Sequence, residues 1–331
     1  MAATVDEAFD EFLKNTVNLD KDQTAKARTS RDNLMQHITD FSKDDDFFDV
    51  YSERNLKFGS FARRTKIRPL DDIDLMICLS ASNDGESRTY DEYEGCYYIN
   101  GIGFDIKNGL TDENSEFLNS TKVINRFISK LSEIADYEKA EMHKNHEAAT
   151  LQLKSYTWNF DIVPCFHTDG GFYLIPDGKG AWKKTDPRID NDRITDINQQ
   201  HNGNLLPVIR LVKYWNQRQV TTRIGSYLLE SMILSIYEYQ NTKDYYWKDY
   251  ELRNTLEALS NSILNAVPDP KGMQEDLNTF DSEERDKIAA ALYKVYEKAE
   301  EAGDLKFTNP KTAINKWREI LGADFPEYTD D

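Results

Sequence analysis

Cysteine is scarce in this chain: Cys78, Cys96 and Cys165 are odd in number and far apart. That excludes a disulfide framework, and the spacing suits no zinc site. The five histidines, His37, His143, His146, His167 and His201, do not complete one with them. Long apolar runs are missing too. No stretch approaches the roughly 18 residues that span a bilayer, and the opening MAATVDEAFDEF has neither a basic n-region nor an apolar h-region. The expectation is a cytoplasmic protein with no membrane partner. Basic charge is in deficit, 41 Lys and Arg against 59 Asp and Glu, for a net charge of −18. Such a far field repels phosphate backbones and disfavours long nucleic acid as a partner. A local basic pocket can still bind a small anionic nucleotide, because net charge does not describe the inside of a cleft.

At 331 residues, 39% of them hydrophobic, the chain is long enough to bury the cores of one or two domains. Residues 5 to 42 read as helical, with Phe9, Phe12 and Leu13 apolar in a first segment and Leu34, Ile38 and Phe41 in a second. Strand-like runs follow at Ile73 to Leu79, Ala149 to Leu153 and Trp158 to Phe166. Cys78 and Cys165 lie inside such runs and read as buried thiols. A helix is predicted over Ser120 to Ala135, with Val123, Phe127, Leu131 and Ile134 on one face. After Trp182 the pattern reads as helical to the end. Its clearest segments are Leu205 to Gln217, Tyr227 to Tyr239, Asp281 to Glu301 and Pro310 to Leu321, with a loop at Val267 to Met273. The layout is a mixed α/β unit with the N-terminal helices, residues 1–190, followed by a helical unit, residues 191–331.

The stretch richest in chemistry is Phe58-Gly59-Ser60-Phe61-Ala62-Arg63-Arg64-Thr65, followed by Pro69-Leu70-Asp71-Asp72-Ile73-Asp74-Leu75. On a strand Asp72 and Asp74 project to one side while Ile73 and Leu75 enter the core. Two adjacent carboxylates repel, and a hard divalent cation such as Mg²⁺ relieves the repulsion. A lone Asp161 in the apolar run Trp158 to Val163 needs a partner as well. Pairing its strand with the first would gather Asp72, Asp74 and Asp161 into a three-carboxylate site. Such a site can hold two Mg²⁺ about 4 Å apart, one for an acceptor hydroxyl and one for a triphosphate. Asp-x-Asp pairs are common in acidic proteins, and so are Gly-Ser turns that expose N–H groups to phosphate. Their order along the chain singles them out: phosphate turn, Asp-x-Asp strand, later Asp strand.

In that order the chain resembles the polymerase β-like nucleotidyltransferases, and more closely the bacterial CD-NTases, the cyclic GMP-AMP synthase-like enzymes of antiphage (CBASS) signalling. Val208-Ile209-Arg210-Leu211-Val212-Lys213-Tyr214-Trp215, Ser226-Tyr227-Leu228-Leu229-Glu230 and Thr312-Ala313-Ile314-Asn315-Lys316-Trp317-Arg318 extend the likeness over most of the chain. The resemblance implies an α+β fold: a nucleotidyltransferase core of mixed sheet and helices, a C-terminal helical domain, and an active site in the cleft between lobes. It implies that Asp72, Asp74 and Asp161 are catalytic and bind metal, two Mg²⁺ with Mn²⁺ as a substitute. Gly59 and Ser60 would position phosphates, Lys213 and Ser226 would hold the donor triphosphate, and Tyr227 would stack on a base. The implied reaction is Mg²⁺-dependent synthesis of a cyclic di- or trinucleotide from NTPs, ATP among them, by a monomer. An activating regulatory protein is left open. The alternatives are a synthetase of linear oligonucleotides or an RNA-tailing enzyme, and, from another class, a non-catalytic nucleotide-binding module. On Leu205 to Gln217, Leu205, Val208, Val212 and Trp215 make an apolar stripe and Arg210, Lys213 and Gln217 a polar one, so Lys213 is expected to face a cleft. Nothing resembles the zinc-bearing insertion with which animal cyclic GMP-AMP synthases sense DNA.

Overall fold

A computed structural model describes residues 1–41, 47–80, 90–101, 109–113, 115–218, 222–243 and 245–330. Packing sorts the chain into two units, one made of Lys21–Arg63 and Leu70–Asn191, the other of Met1–Asp20, Arg64–Pro69 and Asp192–Asp331.

The first unit is built on a nine-stranded sheet. Its strands are β1 (Leu56–Phe58), β2 (Asp72–Cys78), β3 (Tyr90–Tyr93), β4 (Cys96–Ile99), β5 (Glu141–Asn145), β6 (Ala148–Gln152), β7 (Asn159–His167), β8 (Tyr173–Pro176) and β9 (Trp182–Thr185). The main order is β1-β2-β7-β8-β9-β4-β3, and the β5–β6 hairpin also pairs with β7. Strand β7 is the hub, and its sequence explains why. Phe160, Ile162, Val163, Cys165 and Phe166 are all buried, the near-continuous apolar run of a strand covered on both faces. Pro164 lies within this strand without breaking its pairing. Leu79 N donates to Cys165 O at 2.8 Å, so the peptide groups of Cys165 face β2 and those of Pro164 face the other way. On that other side β6 pairs only as far as Ile162 and β8 begins at Phe166. The missing proline N–H falls in the gap.

The helix Ser120–Ser132 starts at an Asn119 cap and buries Val123, Ile124, Phe127 and Leu131. Phe127 meets Phe41 and Phe47 edge to face, and Lys21–Asp40 adds Ala27, Leu34 and Ile38 to the buried set. Cys78 and Cys165 stand opposite one another in the β2–β7 register, both fully buried. A hydrogen bond from Cys165 lowers the Cys78 pKa, while burial pushes the Cys165 thiol up. One expectation fails here. The chain does not turn helical at Trp182, because Trp182–Thr185 is strand β9, with the indole buried and its Nε1 donating to Leu118 O at 2.9 Å.

The second unit is helical and draws in the start of the chain. Helix Val5–Phe12 opens with a Thr4–Glu7 capping box and buries Val5, Ala8, Phe9 and Phe12. Phe9 packs edge to face on Trp317 and Phe325, and Phe12 on Tyr214 and Phe325. These rings, contributed by both ends of the chain, place the first helix in the helical unit rather than with the sheet. The predicted helix over 5 to 42 is interrupted at Asn18, beyond which Lys21–Asp40 belongs to the sheet unit. Phe12→Ala is therefore expected to cost about 3 to 5 kcal/mol, read as a lower urea midpoint for unfolding of the helical unit.

The segment Arg64–Pro69 is clamped into the same unit. Arg68 donates to the carbonyls of Lys14, Asn15 and Asn18, and Arg210 donates to Arg64 O at 2.9 Å. Helix Leu205–Gln217 buries Leu205, Val208, Ile209, Leu211, Val212, Lys213, Tyr214, Trp215 and Asn216, so apolar and polar positions alike are enclosed. Among the described residues no helix is long and apolar enough to cross a membrane.

Candidate active site

Strands β2 and β7 run parallel, and their register sets Asp74 opposite Asp161 and Asp72 opposite Asn159. Since side chains alternate, Asp72, Asp74 and Asp161 emerge on one face while Ile73, Leu75, Phe160 and Ile162 are buried on the other. One carboxylate oxygen from each aspartate lies within 4.8 Å of the others, and all three residues are half-buried. Three hard anionic oxygens this close repel one another, and a cation that takes oxygen ligands fits the donor set.

Thr150, which the sequence reading passed over, completes the arrangement. It sits opposite Asp161 on β6, is buried, and donates its hydroxyl to Asp161 Oδ1 at 2.6 Å. That bond fixes the rotamer of the carboxylate, a supporting role of the kind that ligands of metals commonly require. The signal in the sequence was a single hydroxyl inside the apolar run Ala148-Ala149-Thr150-Leu151. Thr150→Val is expected to weaken Mg²⁺ binding by about 10- to 100-fold, measured by calorimetric titration.

Gly59 and Ser60 begin the turn that follows β1, and β1 pairs Phe58 with Asp74. Gly59 has a φ of +71°, and a Cβ built on it would lie 1.7 Å from Asp74 Oδ2. The turn thus packs its backbone directly on a carboxylate of the cluster, an approach only glycine permits. Ser60 is half-buried in the first turn of the short helix Gly59–Ala62. Among the residues singled out from sequence, Gly59, Ser60, Asp72, Asp74 and Asp161 are brought together in the sheet unit.

Lys213, Ser226 and Tyr227 lie in the helical unit. Lys213 is not on a stripe exposed to solvent: it is 5% exposed and donates to Glu230 Oε1 at 2.6 Å. The reason is that its helix is enclosed on nearly every side, so helical spacing of polar residues does not mark a solvent face. Ser226 is exposed at the first position of Ser226–Glu238. Tyr227 is half-buried, its hydroxyl donating to Asp269 Oδ1 at 3.0 Å, with the Lys271 ammonium 4.1 Å from the ring centroid. Asp269 also accepts the amides of Lys271, Met273 and Gln274, which shapes the loop that carries Lys271.

Comparison with known proteins gives consistent results. The family model described as the Second Messenger Oligonucleotide or Dinucleotide Synthetase domain matches residues 3–117 and 109–198. Over 342 residues, spanning all of both chains, the sequence is 42% identical to a probable cyclic nucleotide synthase of Bacillus cereus (strain VD146). It is 25% identical over 201 residues, 58% of this chain and 57% of the relative, to the cyclic AMP-AMP-AMP synthase of Acinetobacter sp. (strain ATCC 27244 / 9458). CdnC of E. coli MS115-1, solved with ATP, superposes with a TM-score of 0.71 at 15% identity, covering 97% of this chain and 98% of that one. The same protein in complex with HORMA-deltaN matches with the same TM-score at 16% identity and the same coverage. At such low identity the likeness to these structures is one of fold.

Proposed function

The chain belongs to the Second Messenger Oligonucleotide or Dinucleotide Synthetase family, the cyclic GMP-AMP synthase-like nucleotidyltransferases with a polymerase β-like core, and from that premise we propose that it joins NTPs, ATP among them, into a cyclic di- or trinucleotide. The reaction is read as Mg²⁺-dependent and cytoplasmic, carried out by a monomer, and its product as a signal in antiphage defence. The observation that carries the reading is the convergence of Asp72, Asp74 and Asp161 across the β2–β7 pair, with the Gly59 turn packed on Asp74.

In this reading Asp72, Asp74 and Asp161 hold the metal, for which three oxygen donors within 4.8 Å are a fitting set. Bound Mg²⁺ supplies charge stabilisation for the triphosphate and a lowered pKa for the acceptor hydroxyl. The protein's own part is positioning. Asp161, oriented by Thr150, is the carboxylate on the acceptor side. Gly59 and Ser60 offer peptide N–H groups and a hydroxyl to donor phosphates. Lys213 and Ser226 are further phosphate contacts, and Tyr227 a stacking surface for a base. A regulatory protein is the partner class that goes with this reading, supported by the HORMA-deltaN complex of the E. coli relative.

Incubation with each NTP and with their mixture, in Mg²⁺, is expected to yield a phosphatase-resistant product whose mass identifies the bases joined. A product fully degraded by phosphatase would point to a linear synthetase. No product from any NTP would favour a binding module.

A further inference from the structure

The interior of the helical unit holds a second charged cluster. Lys213, 5% exposed, donates to Glu230 Oε1 at 2.6 Å, and Glu230 itself is 2% exposed. The same oxygen accepts the hydroxyl of fully buried Thr65 at 2.9 Å. Thr65 belongs to the clamped segment Arg64–Pro69, five residues after Ser60 in the chain. One turn before Lys213, the Arg210 guanidinium donates to Arg64 O, and among the described residues no carboxylate lies within 4.0 Å of it. Burial brings the Arg210 pKa down to about 10, which leaves it cationic at neutral pH. Its Nε is buried without a hydrogen-bond partner. Lys213 is thus paired with a buried carboxylate, while Arg210 is held through the Arg64 backbone.

Stability does not account for such a pair. Desolvating both ions costs about as much as their attraction returns, and packed apolar residues of similar size often serve as well or better. Orientation does account for it. A lysine stem is long and flexible, and its ammonium has three N–H donors. Glu230 takes one and holds the stem in a single position, so that the ordering a phosphate would otherwise impose on it is already complete in the free protein.

We propose that Glu230 is a positioning residue for the donor phosphates: it fixes the Lys213 ammonium and, through Thr65, holds the segment Arg64–Pro69 in register with it. This rests on the reading in which Lys213 contacts the donor triphosphate. A double-mutant cycle tests it, with α,β-methylene-ATP and Mg²⁺ as the binding probe and melting temperature followed alongside. Lys213→Ala is expected to weaken the probe by about a hundredfold. Glu230→Gln, nearly isosteric, is expected to weaken it by about tenfold, or ~1.4 kcal/mol. Glu230→Asp should recover part of the loss, and the double variant should bind no more weakly than Lys213→Ala alone. The proposal is overturned if Glu230→Gln lowers the melting temperature but leaves probe binding within twofold, since the pair is then merely structural. Tighter binding by Glu230→Gln also overturns it, because the carboxylate would then compete with phosphate. So does full additivity in the double variant. If Lys213→Ala itself binds like the parent protein, the nucleotide reading of Lys213 falls and takes the positioning role with it. Should Glu230→Gln not fold, Thr65→Val removes the other bond to the same oxygen and is expected to weaken the probe about threefold; unchanged binding by that variant overturns the proposal.

Discussion

Replacing Asp72 and Asp74 together with alanine is expected to lower product formation by at least about a thousandfold while leaving the fold intact. The cluster would retain one carboxylate of three and would lose the capacity to hold a divalent cation against the triphosphate. Charge stabilisation of that kind is worth several kcal/mol in the transition state, and each 1.36 kcal/mol is about a factor of ten in rate. The fold should tolerate the change because Asp72 and Asp74 are half-buried, whereas Ile73, Leu75, Met76 and Ile77 carry the burial of β2. Without Mg²⁺ the double variant should melt no lower than the parent, since mutual repulsion among the carboxylates has been removed. Mg²⁺ at a hundred times its Kd should stabilise the parent by about 2.7 kcal/mol and the variant not at all. The second readout does not depend on activity. Nucleotide-dependent product from the variant, or an undiminished response of its melting temperature to Mg²⁺, would rule out this cluster as the metal site.

What the sequence disclosed depended on how local the governing physics is. Strand β2 was legible because alternation is a two-residue rule: Asp72 and Asp74 faced one way and Ile73 and Leu75 the other. Strand β7 was legible as an apolar run with one misplaced carboxylate, and the cost of burying that carboxylate alone was enough to suggest pairing with β2. Three-residue β1 has too few positions to show a period, and the Lys183-Lys184 of β9 hid a strand behind polar letters. The first helix was recognised as a helix. Its membership of the helical unit depends on Trp317 and Phe325, about three hundred residues away in sequence, and no local pattern carries that. Lys213 shows the same limit. Its helical spacing was read correctly, but a polar stripe marks a solvent face only where solvent is present, and here Glu230 on the next helix occupies that place. Tyr227 was likewise identified without its neighbours, because Asp269 and Lys271 come from a loop some forty residues on.

Gly59→Ala is expected to reduce product formation by about a hundredfold or more through geometry alone, with no change in charge or polarity. The Cβ would stand 1.7 Å from Asp74 Oδ2 and 2.5 Å from its Cγ, so turn and carboxylate cannot both remain where they are. Neither has much freedom to yield: Phe58, just before the turn, is in register with Asp74 itself, and Asp74 is held opposite Asp161 by seven paired positions of β2 and β7. A shift of about 1 Å in either element suffices for a loss of that size, because catalysis here is mostly positioning. Strain in the backbone adds to the collision, since φ is +71°. The two effects can be separated. Gly95 has nearly the same φ, +76°, but nothing lies within 4 Å of its added Cβ. Gly95→Ala should therefore cost about 1 to 2 kcal/mol of stability and leave the rate and the Mg²⁺ requirement unchanged. If the two alanine variants lost activity equally, backbone strain would be the common cause and the close packing of the turn on Asp74 would have no catalytic meaning. If Gly59→Ala alone fails, and fails with weakened Mg²⁺ binding, the glycine is there because a metal-binding carboxylate needs the space.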